Sequence, residues 1–119
     1  MKYTESIKKN KDFRYVYNHG ISYANKYLVM YTMRNGIGKN RLGISVSKKV
    51  GNSVVRHRIT RLIRESYRLN EENFITGLDI IIVARVNSKN IGFHEIENGL
   101  IHLARIHKIV KRWDMNEDN

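Results

Sequence analysis

The sequence predicts an α/β (α+β) two-layer sandwich with elements in the order α-β-β-β-α-β-α. Three observations predict it. Apolar residues recur at helical spacing in three segments, and they alternate or run together in the strand-like stretches between them. The two kinds of segment interleave, so a sheet is expected with helices packed mainly on one side. The length of 119 residues, 41% of them apolar, supports one core and leaves no room for a second, so residues 1–119 read as a single domain.

Taken in order, Asn10 is expected to cap a helix that ends near Asn18, with His19-Gly20 as its stop. Phe13, Val16 and Tyr17 share one face of it. Tyr27 to Met33 alternates and is rich in Tyr, Val and Thr, as strands are. The Asn35-Gly36 pair in the following turn supplies the positive φ of a tight hairpin. Arg41 to Ser47 alternates again, with Leu42, Ile44 and Val46 on one face. Gly51-Asn52-Ser53 forms a turn and cap before a helix from about Val54 to Leu69. Leu78 to Ala84 is almost continuously apolar, the pattern of a central strand covered on both faces. A last helix is expected over Phe93 to Lys111, with a stripe of Phe93, Ile96, Leu100, Leu103, His107 and Val110. The polar tail Asp114–Asn119 is expected to be disordered.

Composition narrows the function. Lys and Arg number 22 against 11 Asp and Glu, a formal charge of +11. A field of that sign attracts polyanions. The chain has no cysteine, which excludes disulfides, thiolate metal sites and cysteine nucleophiles. No apolar run approaches the ~20 residues of a membrane span, and the basic, polar start lacks the apolar core of a secretory signal. A cytoplasmic protein with no membrane partner is expected.

The charge concentrates in Lys48 to Arg68, which holds Lys48, Lys49, Arg56, Arg58, Arg61, Arg64 and Arg68 against one acid, Glu65. At roughly 100° per residue, Val55, Ile59, Leu62 and Ile63 fall on one side of a helix. His57, Arg61, Arg64 and Arg68 fall on the other, and Arg56 and Arg58 flank the stripe. A charge run is most often a solvated helix face. Such faces normally intersperse Glu for i,i+4 pairing, however, and this one does not. Guanidinium also suits two-pronged phosphate recognition better than ammonium does. Lys48 and Lys49 stand just before the Gly51-Asn52-Ser53 cap, where free backbone N–H groups favour an anion.

At this segment the sequence resembles a known family. Lys49, Gly51, Asn52, Val54, Arg56, Arg58, Arg61, Leu62, Ile63 and Arg64 match the signature of the bacterial ribonuclease P protein subunit. The likeness extends to Ile7–Asn10, Asp12-Phe13, His19-Gly20, Leu42–Lys49 and Asp79–Arg85. The resemblance implies a mixed sheet with a left-handed β-α-β crossover, against the usual topological rule. It implies a protein that binds the ribonuclease P RNA and the 5′ leader of precursor tRNA. Hydrolysis would then belong to the RNA subunit with its Mg2+, leaving the protein with no cofactor, no metal, no small-molecule substrate and no catalytic side chain. Carried over residue by residue, RNA contacts fall on Lys48, Lys49, Asn52, Arg56, His57, Arg58, Arg61, Arg64 and Arg68. A cleft for the leader falls on Phe13, Tyr17 and Tyr31. Independently of the resemblance, unpaired bases stack on aromatic faces, although the same three aromatics would equally suit a core. Two positions depart from the family pattern. His57 stands where asparagine is usual, and Thr60 stands where lysine is frequent, which removes a cation.

Enzyme constellations are absent from the pattern. There is no phosphate-binding glycine loop, no His-x-x-x-His pair among His19, His57, His94, His102 and His107, and no partnered serine. Asp12, Asp79, Glu95 and Glu97 cannot be told from surface acids. A ribosomal-protein-like general RNA-binding module is the alternative. A helix-turn-helix reader would need a short helix before the basic one, and a self-sufficient nuclease would need clustered carboxylates.

Overall fold

The computed structural model describes residues 3–111, and the expected tail Asp114–Asn119 lies outside them. Its elements are β1 (Thr4–Ser6), α1 (Asn10–His19), β2 (Ile21–Ala24), β3 (Leu28–Arg34), β4 (Asn40–Ser45), α2 (Ser53–Asn70), β5 (Leu78–Ala84) and α3 (Phe93–Ile106). The α+β class holds, with the short strand β1 added ahead of α1. The five strands form one mixed sheet in the order β1-β4-β5-β3-β2.

The apolar run of β5 explains the arrangement. β5 takes the centre, parallel to β4 on one side and antiparallel to β3 on the other. Ile80 and Ile82 point into a core shared with Ile59, Ile63 and Tyr67 of α2 and Ile96, Leu100 and Leu103 of α3. Ile81 points to the opposite face, where Val16 and Ile7 cover it with Phe13, Tyr31 and Val83 alongside. α2 and α3 therefore share one face of the sheet and α1 lies across the other. The same placement overturns the hairpin expected at Asn35-Gly36. β5 sits between β3 and β4, so these two strands are not paired, and of the Asn35-Gly36 pair only Gly36 takes a positive φ, 75°. The hairpin is instead β2–β3, whose turn Asn25 holds by accepting the Tyr27 and Leu28 N–H groups at 3.2 and 3.0 Å.

The start of α1 and the end of α3 differ from the sequence expectation. Asn10 is the first residue of α1, and Lys9 holds the cap position with no side-chain cap bond. α3 stops at Ile106 instead of Lys111 because Lys108 turns into the left-handed region at φ 60°. The chain then returns: the Ile75 N–H donates to the Ile109 carbonyl at 2.8 Å, and Val110 bridges Phe74.

Asp79, which the sequence alone does not tell from a surface acid, is buried in β5. Arg41 donates Nε and Nη2 to its two oxygens at 2.8 and 2.6 Å, and Asn35 donates at 3.0 Å. Burial pushes the Asp79 carboxyl up, but these donors outweigh it and hold the group below its ordinary 3.8. Arg41 also faces Asp12 at 3.8 Å, which ties α1 to the sheet.

Candidate nucleic-acid interface

α2 is the connection between the parallel neighbours β4 and β5, so its buried side is fixed by the centre of the sheet. Ile59 and Ile63 are fully buried, with Val55 and Leu62 half-buried beside them. Asn52 caps the helix by accepting the Val55 N–H at 3.0 Å, as the cap pattern anticipates. Burying Ile59 and Ile63 turns His57, Arg61, Arg64 and Arg68 outward, where all four are exposed. Lys48, Lys49 and Asn52 are exposed at the N-terminal end of the same helix.

The arginines divide by what they touch. Arg56 and Arg58 are half-buried and hydrogen-bond to backbone. Arg56 Nη1 donates to the Gly51 carbonyl at 2.9 Å, and Arg58 Nη2 donates to the Ile91 carbonyl at 2.5 Å. These bonds neutralise no charge, and they orient both guanidiniums beside the cap. Arg68 differs: Glu65 holds it through Nε at 3.0 Å and Nη2 at 2.6 Å, so its charge is already met. Among the described residues, no ion pair involves Lys48, Lys49, Arg56, Arg58, Arg61 or Arg64. Six cations on one cap and helix face, with no ion-pair partner among the described residues, form a surface that a polyanion would neutralise. Thr60 is half-buried and adds no charge there.

A second surface lies on the α1 face of the sheet. Phe13 and Tyr17 stand one helical turn apart, with ring centroids at 6.2 Å. Tyr17 meets Tyr31 of β3 edge-on at 4.9 Å. The three expected cleft aromatics are thus in contact, neither sealed in the core nor scattered. Asn10, Phe13, Arg14, Tyr17, Ile44 and Ser45 line a shallow groove of ≈ 320 Å³ beside them. Gly43 of β4 makes this possible: a Cβ there would stand 2.8 Å from Phe13 Cζ.

Known proteins of similar sequence and fold point to one family. The family model described as Ribonuclease P matches residues 1–108. The chain belongs to the ribonuclease P protein family. It is 62% identical over 107 residues to the ribonuclease P protein component of Lachnoclostridium phytofermentans, covering 90% of this chain and 92% of that one. Among solved structures, the Staphylococcus aureus RNase P protein superposes with a TM-score of 0.82 at 43% identity, over 88% of this chain and 96% of that one. The Thermotoga maritima RNase P protein superposes with a TM-score of 0.77 at 28% identity, over 91% and 96%. The ribonuclease P family acts in 5′ processing of tRNA together with an RNA subunit, and this chain is a subunit of that holoenzyme. No helix among the described residues is long and apolar enough to cross a membrane.

Proposed function

We propose that the chain docks on the ribonuclease P RNA through the cap and outer face of α2 and holds the 5′ leader of precursor tRNA over Phe13, Tyr17 and Tyr31. The observation that carries this reading is the set of unneutralised cations from Lys48 to Arg64 on an otherwise well-packed helix. Arg61 and Arg64 are exposed, Arg56 and Arg58 are held beside the cap, and Lys48, Lys49, Asn52 and His57 extend the surface. Arg68 contributes only by exchanging Glu65 for phosphate. Bond cleavage belongs to the RNA and its Mg2+. Among the described residues no three His, Asp or Glu side chains come together to hold a metal ion. The site of action is the cytoplasm.

The test is 5′ cleavage of precursor tRNA at low magnesium by the bacterial ribonuclease P RNA, with and without this protein. Stimulation that requires both components is expected. Cleavage by the protein alone would make it a nuclease in its own right. No effect in either case would leave a general RNA-binding module.

A further inference from the structure

α1 carries a second aromatic surface that faces away from the cleft. Lys11, Tyr15 and His19 follow one another at four-residue spacing and are all exposed. The Tyr15 and His19 rings stack at 4.1 Å with 24° between their planes. His19 Nδ1–H donates to the Tyr15 carbonyl at 2.9 Å, which fixes the imidazole against the phenol. One face of the Tyr15 ring is therefore covered by His19, and the residue remains 54% exposed. An exposed aromatic held flat by a fixed neighbour has lost its rotamer freedom before any ligand arrives.

The charge around it is one-sided. Lys8, Lys9, Lys11 and Arg14 are exposed, and none takes part in an ion pair among the described residues. The one acid of α1, Asp12, turns toward Arg41 on the sheet. A flat ring rimmed by unpaired cations has the make-up of a platform for single-stranded nucleic acid.

We propose that Tyr15, backed by His19 and rimmed by Lys11 and Arg14, stacks an unpaired base of the 5′ leader upstream of the nucleotides held over Phe13, Tyr17 and Tyr31. The inference rests on the reading that the cleft holds the leader. Position selects the leader over the RNA subunit. α1 lies on the sheet face opposite α2, so RNA docked on α2 meets the other side of the molecule. A leader in the cleft is separated from Tyr15 by the width of α1 alone, roughly 10–12 Å. His19 acts as a positioning residue, since it touches Tyr15 and not the base.

The test uses the reconstituted holoenzyme and precursor tRNAs whose leaders lengthen one nucleotide at a time. Tyr15→Ala should match the parent on short leaders and bind about tenfold more weakly once the leader is long enough to cross α1. Tyr15→Phe should restore binding because it keeps the ring, and Tyr15→Leu should not. Equal affinities at every length overturn the proposal, as does a loss that is the same at every length or a weakened affinity for the RNA subunit alone. Tyr17→Ala run in parallel separates the two ideas. If it leaves short leaders unaffected, the cleft assignment fails, whatever Tyr15 does.

Discussion

Gly43 lacks a side chain where Phe13 needs the space. An added methyl would lie 2.8 and 2.9 Å from the ring carbons Cζ and Cε1, closer than carbon atoms approach, and a tight 3.3 Å from Ile81. Gly43→Ala must therefore lift Phe13 off the sheet. A loss of about 1–3 kcal/mol in urea denaturation is expected. Leader affinity should fall with it while affinity for the RNA subunit, on the other face, holds. Unchanged stability and leader binding would mean that Phe13 does not depend on the gap. Asp79 shows why residue-level reading of the chain stops where it does. Its sequence neighbourhood does not tell it from a surface acid, since its partner Arg41 is 38 positions away and only the pairing of β4 with β5 brings them together. The cleft aromatics were equally ambiguous in sequence. Phe13 and Tyr17 share a helix face by spacing, but Tyr31 joins them only because α1 crosses β3.

At the scale of the element, periodicity located what is long and locally determined. The strand over Leu78–Ala84 has the bounds its apolar run implies, and α2 extends one residue beyond the expected Val54–Leu69 at each end. β1 went unread because three residues carry no alternation, and its pairing with β4 is non-local. The Asn35-Gly36 pair suggests a hairpin that the fold does not form, for a related reason. A turn signal reports a local reversal, and it cannot report that a later strand will insert between the two it joins. The end of α3 was overrun because Val110 continues the helical spacing after the backbone has left the helix. For α2, spacing sorted buried from exposed residues correctly, and only the structure separates Arg68, held by Glu65, from Arg61 and Arg64. The double variant Arg61→Ala plus Arg64→Ala should weaken affinity for the RNA subunit and flatten log K against log salt by about two contacts. An unaltered slope would remove α2 as the docking face.

At the scale of the whole molecule, His107 joins the end of α3 to the sheet. Its Nε2–H donates to the Met30 carbonyl at 2.8 Å, its Nδ1 faces the Thr32 hydroxyl at 3.0 Å, and its ring meets Tyr23 edge-on. Burial lowers its pKa below the ordinary 6.5, opposed by the bond to Met30. The native site then refuses a proton that the unfolded chain accepts. Stability should be full above pH 6.5 and decline as pH falls through that value, by at most about 1.4 kcal/mol per pH unit. Urea midpoints between about pH 7.5 and 5.5 should fall less for His107→Gln than for the parent. Parallel declines in the two proteins would show that another group governs this range.

The helix that joins β4 to β5 is at once the strap across the middle of the sheet and the rail on which the guanidiniums are mounted. Their mutual repulsion strains that strap whenever the chain is alone. Dissolved electrolyte relieves the strain in the solitary subunit, yet it competes with the phosphates that relieve it in the ribonucleoprotein. Ionic strength thus acts in opposite senses on the orphan subunit and on its assembly.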